Sequence, residues 1–280
     1  MNRNNIAIIY ETLVRRYPQL GLPVRRGMKD SPEYREAVRR GKFDITGQTP
    51  PFHGDIDFSA VNTIAGRVEI LTLTDRKDFV RALRQLAYRC EPAVIPDSVG
   101  AMTVRGLINW EKINQHRKKY IEAGGEAWST EFKRFTSDKK NYLDTLILLS
   151  GGAYSNVSPE DIGLTESEWQ EKSMTIRKYH ELTHFICRTR RPDDVDVIRD
   201  EVLADLIGLK AAFGKYDPEL AKRFLGIEGT DFREAGRLSY YVNQAELSEA
   251  VRAAEKWISF YSEQILVMEE DMFATLQRLF

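Results

Sequence analysis

His180, Glu181 and His184 stand in the stretch HELTH and include two of the chain's four histidines. On a helix, residues four apart share a face one turn apart, so the imidazoles of 180 and 184 can meet one ion. Glu181 is offset by about 100°, near enough to touch a water on that ion without ligating it. Two metal ligands and a general base on one rigid turn are the physical content of the H-E-x-x-H pattern, which is suited to metal-assisted hydrolysis. At this chain's His and Glu frequencies the pattern would arise by chance in roughly one chain in two hundred, so it outranks a lone histidine pair. The bland alternative is two ordinary helix histidines beside a solvated glutamate.

A catalytic zinc ion needs a third protein ligand and an open fourth position. The extended pattern with glycine at 187 and histidine at 190 is absent, since Cys187 and Arg190 stand there. Downstream lies RDEVLADLIG, in which Glu201 follows His184 after sixteen intervening residues and Asp205 follows Glu201 by four. Here the chain resembles the gluzincins, zinc metallopeptidases with HExxH on one helix and ExxxD on the next. That resemblance spans residues 180–205. It implies His180, His184 and Glu201 as zinc ligands, Glu181 as the base, and Asp205 as the carboxylate that orients His180.

Helical geometry supports the second motif. With Glu201 at zero, Asp205 falls near 40°, Ile198 near 60°, Val197 near −40°, Gly208 near −20° and Ala212 near 20°, at about 100° per residue. Both acids lie on a small, apolar face that could pack closely on another helix, with Arg199 and Lys210 on the opposite side. Inward-pointing acids need a partner, and a metal with its histidine is a natural one. A closed structural zinc site would need a fourth protein ligand. Cys187, three residues after His184, is the candidate, or else a small buried hydrophobe.

Hydrolysis through a tetrahedral intermediate needs a donor to its oxyanion. Tyr240 and Tyr241, in GRLSYYVNQ, stand after the second motif helix, and Arg237 in the same stretch is a further candidate. His53 and His116 read as surface histidines. Zincin peptidases bind substrate along an exposed edge strand that precedes the metal helix. TLILLSGGAY (145–154) stands in that position, although its continuous apolar run equally suits a buried central strand.

The elements that must position these residues are readable in outline. RVEILTLT (67–74), AVIP (93–96), AMTVRGLI (101–108) and YLDTLILLS (142–150) read as strands. Residues 43–66, rich in Gly, Pro and Asp, read as loop. Residues 75–90 have helical spacing, and a further helix holds Trp110 and Ile113. Thr165 with Glu168 forms a capping box for a helix ending near Arg190, where Pro192 stops it. Asp193 or Asp194 can cap the next helix, which runs to about Phe213 with Gly214 as its stop. A long amphipathic helix fills 245–279. The expected fold is α+β, with a small mixed sheet in the N-terminal half and a mostly helical half carrying a zincin-like active-site helix. The division is 1–157 and 158–280, or else one continuous catalytic domain.

The 280 residues suffice for a real core, and a formal net charge of −1 gives no global field toward nucleic acid or anionic membrane. Residues 1–42 carry ten Lys/Arg against four Asp/Glu, scattered as on a solvated face, so nucleic acid is not an expected partner. The apolar run Ile6–Tyr10 is too short for a signal-peptide core, and LILL (146–149) is too short to span a bilayer. With two cysteines and no disulfide framework, the expectation is a soluble, cytoplasmic protein without a membrane partner. The function expected is that of a zinc metallopeptidase acting on a peptide or protein substrate. The competing class is a non-enzymatic interaction or regulatory protein with a structural or vestigial zinc site.

Overall fold

In the computed structural model, residues 3–44, 52–229, 231–233, 236–265 and 272–279 are described. The chain is α+β and forms two compact units: 1–60, 68–96 and 102–150 make the first, and 61–67, 97–101 and 151–280 the second.

In the first unit, α1 (Arg3–Arg16) and the short α2 (Pro32–Tyr34) precede the strands β1 (Ile56–Thr63) and β2 (Gly66–Leu73). Helix α3 (Arg76–Leu86) is started by Asp75, whose side chain accepts the amides of Lys77 and Asp78. Then come β3 (Ala101–Ile108), α4 (Trp110–Glu122), α5 (Trp128–Thr136) and β4 (Leu143–Ser150). The mixed sheet has the order β1-β2-β4-β3, with β2 and β4 parallel and Ile70 opposite Ile147. Residues 145–150 are therefore interior: β4 lies between β2 and β3, and Leu146 to Ser150 are all buried. This corrects the reading of that strand as an exposed substrate edge. An uninterrupted apolar run fits a strand covered on both faces.

Two local expectations also differ. Residues 93–96 form no strand, because Pro92 and Pro96 flank a segment whose carbonyls serve arginines: Arg84 Nε donates to Ala93 O and Arg76 Nη2 to Pro96 O. Conversely, β1 lies within the stretch read as loop. Ile56 alone of its eight residues is buried and four are exposed, so it carries no continuous apolar run. Residues 45–51 of that stretch lie outside the described residues.

The second unit is built on α6 (Glu166–Arg190) and α7 (Val197–Phe213). Helix α6 starts at the expected capping box: Thr165 Oγ1 accepts Glu168 N, and Glu168 Oε2 accepts Thr165 N. Helix α7 is capped by Asp196, which accepts Arg199 N, rather than by Asp193 or Asp194. Asp194 instead pairs with Arg199 through its side chain, at 3.1 Å. Gly214, at φ 74°, ends α7 in the left-handed conformation.

Then follow α8 (Pro218–Leu225), a two-stranded hairpin of β5 (Ile227–Glu228) and β6 (Asp231–Phe232), α9 (Leu247–Ile265) and α10 (Met272–Leu279). The expected helix over 245–279 is thus seen as α9 and α10, with 266–271 outside the described residues. Helix α7 packs on α6, α8, α9 and α10, and this covers it on all sides: Ile198 and every residue from Asp200 to Lys210 are buried. Even Lys210, opposite the acidic face, is covered, and its Nζ donates to Thr275 Oγ1 at 2.8 Å. Tyr154 and Val157 pack with Trp169 and Phe224 in this unit's core, which draws the stretch after Ser150 into it. No helix among the described residues is long and apolar enough to cross a membrane.

Candidate metal centre

The α6–α7 contact sets the site. A Cβ on Gly208 would lie 2.9 Å from both Cγ2 and the carbonyl oxygen of Ile176, so the helices touch backbone to backbone there. That approach brings the two motifs face to face. His180 Nε2 lies 3.0 Å from His184 Nε2 and 3.4 Å from Glu201 Oε2, and His184 Nε2 lies 3.1 Å from Glu201 Oε1. Among the described residues, this is the grouping of three or more His, Cys, Asp or Glu whose donor atoms converge as a metal would require.

The donor set fits a zinc-sized ion. Zinc–nitrogen bonds of about 2.0–2.1 Å place tetrahedral ligands about 3.3 Å apart, close to the spacings found. Glu201 Oε2 is buried and has no hydrogen-bond partner, as expected of an oxygen kept for a cation. Burial raises the Glu201 carboxyl, but His184 and His180 outweigh it and hold it well below the usual carboxylate range.

His180 is oriented from behind. Its Nδ1 lies 3.0 Å from Asp205 Oδ1 and 2.9 Å from the Tyr154 hydroxyl. Tyr154 O–H donates to Asp205 Oδ1 at 2.7 Å and accepts from Arg237 Nη1 at 2.7 Å. With its proton committed to Asp205, Tyr154 offers His180 a lone pair. Nδ1 therefore faces two acceptors and must carry hydrogen, leaving Nε2 as the inward nitrogen. Burial works against a charged His180, yet Asp205 and Glu201 together hold it up at about 9. Asp205 is fully buried, and burial raises its carboxyl, but Arg237, His180 and Tyr154 more than offset this and lower it.

Two loops deliver Tyr154 and Arg237. Arg177, one turn before His180 on α6, donates to the carbonyls of Gly152 and Ala153 at 2.7 and 2.8 Å. Tyr154 N donates to Ser173 Oγ, its ring meets Phe224 edge-on, and Ser155 and Asn156 then turn through positive φ. Arg237 follows the β5–β6 hairpin, which Arg233 N closes onto Gly226 O at 2.7 Å. Its Nη1 also donates to Ser155 Oγ at 3.0 Å, and its Nη2 donates to Asp205 Oδ2.

The other sequence candidates divide. Glu181 is buried beside His180 on α6. Tyr241 lies against Glu201, and burial keeps its phenol protonated far above the usual range. Tyr240, its neighbour, does not join the cluster: it is 52% exposed and accepts a hydrogen bond from Ser98 Oγ. Consecutive residues at the end of a 3-10 turn point apart, so only one could face the site. Cys187 is also outside the cluster. It is buried near Arg191 and Asp200, and burial pushes its thiol up to about 11. His53 pairs with Asp78, and His116 stacks on Phe135 and bonds Glu131, both in the first unit. Arg237 is engaged by Tyr154, Ser155 and Asp205 rather than standing ready for an oxyanion. Tyr154 was not legible as a site residue, because no spacing ties it to either motif.

Fold and site thus define an α+β protein with a His-His-Glu cluster, buried at His180 and Glu201 and half-buried at His184, held between two helices and backed by a Tyr–Asp–Arg network. The chain belongs to the family described as "Family of unknown function (DUF7005)", which its residues 2–277 match. No curated protein and no solved structure matches it.

Proposed function

We infer that this protein is a zinc-dependent hydrolase that cleaves amide bonds, with a peptide or protein as its substrate. The observation that carries this reading is the convergence of His180, His184 and Glu201, with, among them, a buried Glu201 oxygen that makes no hydrogen bond. The absence of Cys187 from that group favours a three-ligand site with an open position over a closed structural one. Zinc held there would supply a Lewis acid that lowers the pKa of a bound water and polarises the scissile carbonyl. Glu181 takes the proton of the attacking water and returns it to the leaving nitrogen. Tyr241, a neutral phenol beside Glu201, is the donor we assign to the developing oxyanion. Asp205 keeps the Nδ1 proton of His180 in place throughout.

The test has two parts. Elemental analysis should find about one zinc per chain in the wild type and none in His180→Ala. Glu181→Gln should retain zinc and lose turnover of a peptide library by on the order of a thousandfold or more. Full activity in Glu181→Gln would remove the general base. A wild type that binds no metal would sink the whole reading, and one that binds zinc but hydrolyses nothing would leave a non-enzymatic metal protein.

A further inference from the structure

We propose that Tyr154 and Arg237 are positioning residues of the metal centre, which lock Asp205 and through it the ligand His180. This rests on the metal reading above, though not on hydrolysis. Tyr154 Oη is the node of the network: it accepts from Arg237, donates to Asp205, and lies 2.9 Å from His180 Nδ1. Its single hydroxyl therefore joins the cation, the carboxylate and the imidazole, and sets the direction of each hydrogen bond.

Arg237 has a second task. Glu201 and Asp205 are like charges one helical turn apart, both buried in a face that water does not screen. Arg237 Nη2 donates to Asp205 and sits 3.9 Å from Glu201 Oε2. One guanidinium therefore offsets both carboxylates. Its planar fork reaches Tyr154 and Ser155 with Nη1 while Nη2 serves Asp205. An ammonium could keep the charge but not serve all three partners in that geometry. The two residues come from loops outside the motif helices, so the helices alone do not complete the centre.

A role in packing alone makes a different forecast. Phenylalanine at 154 would keep the edge-on contact with Phe224 and would alter stability while leaving the metal untouched. The experiment uses the full chain. Metal is removed by chelation, folding of each variant is checked by circular dichroism, and zinc affinity is measured by chelator competition. Absorption of the Co2+-loaded protein reports ligand geometry. Tyr154→Phe and Arg237→Lys should each weaken zinc binding by about 10- to 100-fold and shift the Co2+ bands, because groups that orient a ligand carry effects of that size. If Tyr154→Phe fails to fold, Arg237→Lys decides. Wild-type affinity and an unchanged Co2+ spectrum in the folded variants would overturn the proposal while the metal centre stands. A wild type that binds neither ion would overturn both. Zinc bound without any hydrolysis would end the hydrolase reading, and the affinities would still decide this one.

Discussion

Gly208→Ala tests whether the site depends on the close approach of α6 and α7 at Ile176. Gly208 follows Asp205 by three residues, and Ile176 precedes His180 by four, so the contact lies about one turn from the cluster. The added methyl would stand 2.9 Å from Ile176 Cγ2, 2.9 Å from Ile176 O and 3.3 Å from Ile176 Cα. Carbon contacts are comfortable at about 3.5–4.0 Å. Two of those three atoms are backbone and cannot rotate away, so the helices must part locally by roughly half an ångström. Overpacking of this kind costs about 1–3 kcal/mol. Alanine recovers about 1 kcal/mol over glycine inside a helix. The net is a loss of about 0–2 kcal/mol, or a fall in Tm of roughly 2–4 °C for each kcal/mol lost. The larger effect would fall on binding at the proposed metal centre, since such a site must hold its ligands to within about 0.5 Å. Zinc affinity, measured by chelator competition, should drop by roughly tenfold or more. If Gly208→Ala instead gains the propensity term and binds zinc as the wild type does, the helices are not at their contact limit and the argument fails.

Two further outcomes follow from the same framework. Thr165→Ala removes one half of the α6 capping box and should cost about 1 kcal/mol. Chemical denaturation should show that loss with zinc affinity unchanged, because the cap stands fifteen residues before His180; a matching loss of affinity would mean the start of α6 sets the site. Burial raises the thiols of Cys187 and Cys90, to about 11 and about 12. A raised thiol stays protonated below that pH, and the thiolate is the reactive form. Both should therefore be silent to a disulfide reagent at pH 8 and react on unfolding, and rapid labelling of native protein would contradict their placement.

How far the fold was legible depended on whether a pattern was local. The capping box at Thr165, the stop at Gly214 and the apolar run of β4 are each written within a few residues, and each stands in the structure where it was read. The order of the strands is not local. An apolar run says that a strand is buried, and only pairing with β2 and β3 says that it is interior. β1 was illegible for the opposite reason: as an edge strand with one buried side chain, Ile56, it needs little apolar surface. Helix α7 also hid its neighbours. Arg199 and Lys210 lie opposite the acidic face, and that side is packed too: the Arg199 guanidinium lies 6.0 Å from the ring centre of Trp257 in α9, and Lys210 bonds Thr275 of α10.

The site divides in the same way. A helix repeats every 3.6 residues, so spacing alone could place His180 with His184 and Glu201 with Asp205 on common faces. It could also mark the Gly208 face as one fit for close packing, and α6 does pack there. No periodicity relates residue 154 or residue 237 to those faces. Tyr154 stands ahead of α6, after a turn held by Arg177, and Arg237 stands beyond a hairpin closed at Gly226. What relates them to the site is the charge of Asp205, and that demand names no residue by itself. A carboxylate that points inward cannot stay charged without donors around it. Asp205, with no exposed surface, accepts from His180, Tyr154 and Arg237. The motif accounts for the first of these donors and leaves the rest of the demand unmet. A buried acid with fewer donors than it needs is thus a signal to look for its missing partners among distant tyrosines and arginines, and here two of them meet on Asp205.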